Sequence, residues 1–152
     1  MKQTLEPTED LAVSVQAEEV SLSPFAELIG IKIEKMAKNY CCLSLKLNEK
    51  FTNYFGGIHG GVLAALADNC MGMALRSAGL QPVTVEITVN YMNMPEVGNK
   101  LSAEGLIIHR GNTIILAECI IKTGELKNVA RAKGVFLNRG QRTGECKSQH
   151  SL

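Results

Sequence analysis

The alternation of apolar and polar positions divides the chain into one helical stretch and a set of strand-like runs. From Val62 to Leu75 apolar residues recur on nearly every side of a 3.6-residue period, which predicts a long helix that other elements must cover all round. Ahead of it, SLSPFAELIG reads as a short helix, with Ser23 as N-cap, Pro24 at the first helical position and Gly30 closing it. Ile31 to Met36 and Tyr40 to Leu47 alternate around the turn AKN, placing Cys41, Leu43, Leu45 and Leu47 on one face.

Four more runs follow the helix: Val83 to Tyr91, Leu101 to His109, Thr113 to Lys122 and Val129 to Leu137. The first alternates without a break, so Val83, Val85, Ile87, Val89 and Tyr91 are expected on one face and Thr84, Glu86, Thr88 and Asn90 on the other. Arg110, Gly111 and Asn112 form a tight hairpin signal. Ala130, Ala132 and Gly134 make a face on which a backbone or a ligand can come close. Short connections between the later strands imply antiparallel pairing. The class is therefore α+β, an antiparallel sheet of about six strands curled around one long central helix. A single sheet covers only part of such a helix, so the remaining apolar surface and the sheet edges favour self-association.

Residues 21–138 hold this pattern. Residues 1–20, with five acidic side chains against one lysine, read as a flexible arm, and the polar, basic residues 139–152 read as a disordered tail. Sixteen Lys and Arg against fifteen Asp and Glu give a net charge of +1, so neither nucleic acid nor an anionic membrane is an expected partner. The start, MKQTLEPTED, has no apolar run suited to a signal peptide, and the 62–75 stretch is too short to span a bilayer. A cytoplasmic location is expected. Cys41, Cys42, Cys70, Cys119 and Cys146 form no CxxC and no zinc spacing; they read as reduced thiols, and no metal is expected.

Candidate chemistry gathers in NYFGGIHGGVLAALAD. Gly56, Gly57, Gly60 and Gly61 let the backbone enter the helix at close quarters, and the amides of Gly60 and Gly61 stand among the first helical donors, where they can hold a developing oxyanion. Asp68 is the second feature. No cation lies three or four residues away on the helix, so a carboxylate among apolar neighbours is either poised for chemistry or reaching a partner or solvent. Eight residues separate it from Gly60, about 12 Å along a helix axis. The two cannot act on one carbonyl within a subunit, and a two-fold pairing of antiparallel helices would bring one copy's Asp68 to the other's Gly60.

Asn53, Gly57, His59, Gly60, Gly61, Leu66 and Asp68 form the run N-x-x-x-G-x-H-G-G-x-x-x-x-L-x-D. This run resembles the PaaI-like and THEM-type acyl-CoA thioesterases of the hotdog fold, and the likeness continues through VTVEITVNYM, PEVGNKL, HRGNTIILAECII and NVARAKGVFL, over roughly residues 25–138. The resemblance implies a hotdog homodimer, paired again into a dimer of dimers, that hydrolyses acyl-CoA with no cofactor beyond the CoA of its substrate. It implies that Gly60, with Asn53 nearby, polarises the thioester carbonyl. Asp68 of the partner subunit would activate water or attack directly, with Thr84 helping to hold the water. His59 would shape the turn rather than act as base. For substrate binding it points to Gly61, to Glu86 and Tyr91 on the strand after the helix, and to the hairpin of His109, Arg110, Gly111 and Asn112. Two other readings remain open: a hotdog hydratase or dehydratase on acyl thioesters, which would use a His paired with an acid, and a non-catalytic acyl-CoA-binding module.

Overall fold

The computed structural model describes residues 21–124 and 127–141. The expected arm at 1–20 lies outside them, as do residues 142–152 of the expected tail. The elements run α1 (Pro24–Ile29), β1 (Lys32–Ala37), β2 (Tyr40–Lys46), a 3-10 turn (Glu49–Phe51), α2 (Gly60–Arg76), β3 (Leu80–Tyr91), β4 (Lys100–Arg110), β5 (Ile114–Thr123) and β6 (Asn128–Gln141). The last strand outruns its expected end at Leu137: Asn138 pairs with Pro82 and Gln141 with Leu80, so residues 139–141 belong to the sheet.

Local chemistry sets the ends of α1. The Ser23 side chain accepts from the Ala26 amide, and Gly30, in the left-handed region, closes the helix by donating to Ala26 and Glu27 carbonyls. The strands form one antiparallel six-stranded sheet in the order β1-β2-β4-β5-β6-β3, which leaves β1 and β3 as its edges. It curls around α2 as the resemblance implies. The inward residues of β2, β4 and β5, among them Leu43, Leu45, Leu101, Ala103, Ile115, Ala117 and Ile121, bury against Leu63, Leu66, Cys70, Met71 and Leu75 of the helix. The small face of β6 lets the helix in: a Cβ at Gly134 would lie 3.0 Å from the Met71 methyl.

As expected of a single sheet, the wrap covers one side of the helix only; Gly61, Ala64, Ala65, Asp68, Asn69 and Gly72 form a stripe that stays half-buried or exposed. The expected alternation of β3 is broken. A bulge between Thr84 and Glu86 inserts Val85 as an extra, 61% exposed residue, and this shifts the side-chain phase. Thr84 pairs with the inward Phe136, Ile87 with Gly134 and Tyr91 with Ala130, so Thr84 shares the helix-facing side with Ile87, Val89 and Tyr91, while Glu86 faces out opposite Val135.

On the outer face of the sheet, Lys122 is 4% exposed and its ammonium lies 3.3 Å from both carboxylate oxygens of Glu104. The four described cysteines are free. A contact with Cys70, and then burial, pushes the Cys41 thiol far up, and burial does the same for Cys70 and Cys42. They pack as small apolar side chains.

Candidate active site

The glycine turn is built by two side chains. Asn53 Oδ1 accepts from the amides of Phe55 (2.9 Å) and Gly57 (3.2 Å), which folds residues 53–57 into a tight loop and commits that oxygen to the loop. His59 caps α2: its Nδ1 accepts from the Gly61 amide at 2.8 Å. A ring in that position leaves no room for a side chain on Gly61, where a Cβ would meet Nδ1 at 2.9 Å. Tyr91 crowds Gly60 less severely. Its ring would stand 3.2 Å from a Gly60 Cβ, and its hydroxyl donates to the Gly60 carbonyl at 3.1 Å.

The hydrogen bonds of the first turn decide which donor is left. The Gly61 N–H goes to His59 Nδ1 and the Val62 N–H to the His59 carbonyl, whereas the Gly60 N–H has no acceptor recorded among the described residues. The expectation of two amide donors is thus corrected to one, because the imidazole occupies Gly61. Gly60 opens, with Asn53, Ile58, Leu63, Tyr91 and Met92, onto a pocket of about 340 Å³. A helix N-terminus aimed at such a pocket favours negative charge on a ligand. His59, with Nδ1 accepting from Gly61, is a capping group and is not placed as a base at that nitrogen.

Asp68 lies in a separate pocket of about 200 Å³, which also includes Gly72, Met73, Pro82, Thr84 and Phe136. It is half-buried on the open stripe of α2. The β3 bulge turns Thr84 toward it, and the Thr84 hydroxyl donates to Asp68 Oδ1 at 2.8 Å. That bond fixes the carboxylate and leaves Oδ2 for another partner. Asn69 is turned aside, its amide donating to the Ala65 carbonyl.

The remaining expected site residues fall elsewhere. Glu86 is exposed on the outer side of β3 and accepts from Thr88. His109 and Arg110 are exposed at the end of β4, Gly111 donates to the Ile114 carbonyl, and the Asn112 carbonyl accepts from Asn138. None of these five lines either pocket. Sequence reasoning passed over Met92, Met94 and Pro95 as pocket walls; the signal was their position directly after Tyr91. Among the described residues, no three His, Cys, Asp or Glu side chains cluster as a metal site would require.

The profile of the thioesterase superfamily matches residues 55–130. A Streptococcus pneumoniae protein described as a hypothetical thioesterase, crystallised with coenzyme A, is 31% identical over 74% of this chain and 88% of its own, with a TM-score of 0.72. Two further structures of that protein carry a threonine-to-alanine and an aspartate-to-alanine substitution at positions sixteen apart, the separation of Asp68 and Thr84 here. The Escherichia coli PaaI protein from the phenylacetic acid degradation operon is 25% identical over 78% of this chain and 86% of its own, with a TM-score of 0.75. The human protein named acyl-coenzyme A thioesterase 13 is 27% identical over 122 residues, 78% of this chain and 82% of its own length.

Proposed function

The chain belongs to the thioesterase superfamily, and we propose that it hydrolyses acyl-CoA thioesters to the free acid and CoA at two equivalent sites shared between the subunits of a homodimer. The observation that carries this reading is the pair of incomplete half-sites. One offers a single free amide at a helix N-terminus; the other offers a carboxylate oriented by Thr84. The rise of the helix keeps them about 12 Å apart in one chain. A two-fold axis near Ala64 would bring Asp68 of the partner subunit to Gly60, and the same operation brings the Thr84 end of β3 beside the partner's Tyr91 end. The unpaired edge of β3, with its exposed Val83 and Val85, suits that contact.

In this arrangement the thioester carbonyl accepts from the Gly60 N–H and from the side-chain amide of Asn53. The partner's Asp68 takes a proton from water as the water oxygen bonds to the carbonyl carbon. The charge that develops on the carbonyl oxygen meets the Gly60 donor and the helix dipole. Collapse then breaks the C–S bond, and CoA leaves as the thiolate. No cofactor takes part. His59 holds the turn, and Tyr91 secures Gly60 from beneath. The aspartate and threonine altered in the S. pneumoniae protein share the spacing of Asp68 and Thr84 and support the pairing of these two residues. Assembly as a dimer of dimers belongs to the same reading. So does a cytoplasmic location.

The test is thiol release from acyl-CoA by Asp68→Asn with the dimer monitored. Turnover should fall by about 10²- to 10⁴-fold, the range of general-base contributions, while the dimer persists. Unchanged turnover would remove Asp68 from the mechanism. Hydration of crotonyl-CoA without thiol release would move the protein to the hydratase class; the capping role of His59 Nδ1 speaks against that outcome.

A further inference from the structure

Gly72 lies four residues beyond Asp68 on the open stripe of α2, about 6 Å further along the axis. Glycine is among the least favourable residues in a helix interior. Nothing within the protomer calls for it: a Cβ at Gly72 meets no atom within 4 Å, whereas Gly60 and Gly61 each yield to a ring. The space belongs to the Asp68 pocket, whose floor is Met73, Pro82 and Phe136. At about 200 Å³, the pocket is far larger than the methyl of an acetyl group needs and has room for a longer alkyl tail or an aromatic ring.

A second feature is likewise left open in the protomer. Tyr54 and Phe55, at the tip of the loop ahead of α2, are 104% and 96% exposed. Antiparallel pairing of the helices that sets Gly60 opposite the partner's Asp68 sets the residues just before Gly60 opposite those just after Asp68. The partner subunit's Phe55 then comes over the Gly72 notch and roofs it. On the other side of the carbonyl, the Tyr91 hydroxyl oxygen can still accept a hydrogen bond from the amide-bearing thiol arm, whose burial needs such partners.

We infer that Gly72 is a specificity-determining position: the space of its missing side chain admits the acyl group, which runs from the carbonyl past Asp68 onto Met73, Pro82 and Phe136, and selects medium-chain or aromatic acyl thioesters over acetyl. The inference rests on the thioesterase reading. Full-length wild type, Gly72→Ala and Gly72→Leu are assayed for thiol release from acetyl-, hexanoyl-, decanoyl- and phenylacetyl-CoA, with dimer content measured for each protein. Wild type should favour the larger acyl groups. Gly72→Leu should lose about 30-fold or more in kcat/KM on decanoyl- and phenylacetyl-CoA and less than about threefold on acetyl-CoA, with Gly72→Ala between them, as pocket-filling discrimination predicts. An equal loss on all four esters, or no loss on any, would overturn the inference. Dissociation of the dimer already in Gly72→Ala would overturn it too, making Gly72 a helix-packing residue. A wild type that turns over esters with no preference defeats the inference alone; one that releases no thiol from any ester defeats the thioesterase reading as well.

Discussion

At the scale of single residues, the turn before α2 depends on which nitrogen and which hydroxyl are already committed. His59 spends Nδ1 on the Gly61 amide, so its work is capping, and a residue that caps without ionising should replace it. His59→Asn is expected to keep turnover within a few-fold, whereas His59→Ala should lose about 1 kcal/mol of stability, the usual worth of an N-cap, together with turnover. Equal loss in both variants would assign His59 a chemical role instead. Thr84 presents a similar choice. Its hydroxyl donates to Asp68, and a hydrogen bond to a charged group is worth about 1.5–3 kcal/mol. Thr84→Ala should therefore lower kcat about 10- to 100-fold with KM little changed, which steady-state kinetics will read directly.

At the scale of elements, the local signals in the sequence were legible and the long-range ones were not. Ser23, Pro24 and Gly30 bound α1 where the chain itself says, because capping involves residues three or four apart. The long helix and the six strands also follow from periodicity. The β3 bulge was hidden, since it is a mismatch with β6 and leaves no trace in β3's own alternation. It is also what turns Thr84 toward Asp68, so periodicity alone puts Thr84 on the wrong face, and only the family resemblance pairs it with Asp68. The occupation of Gly61 by His59 was missed for a related reason: which of two neighbouring amides stays free depends on a side-chain rotamer. Nor does the sequence reveal the pairing of Lys122 with Glu104, which needs the β4–β5 register. That pair carries its own prediction. Lys122→Ala removes the ammonium from a largely buried pair and should lower stability in denaturant unfolding, whereas replacing both partners by apolar residues of similar size should recover much of the loss.

At the scale of the whole molecule, the proposed two-fold dimer would cover the open stripe of α2, pair the free edge of β3 and join the two separated pockets. A charge placed on that edge should separate assembly from chemistry: Val85→Asp is expected to give a monomer, by size-exclusion chromatography, that has lost turnover although Asp68, Thr84 and Gly60 are untouched. The central claim, that each site takes its amide from one subunit and its carboxylate from the other, has a more direct test in mixed dimers. Asp68→Asn removes the base. Gly60→Pro removes the amide hydrogen at the first helical position, whose backbone angles suit proline; the Tyr91 ring must yield by a few tenths of an ångström, so dimer content is measured for each variant first. Each variant alone should be nearly inactive. Co-expressed and purified together, they should regain about a quarter of wild-type turnover per subunit under random pairing, because half the dimers are hybrids and each hybrid holds one intact site. A mixture no more active than the two variants measured separately would contradict the shared site.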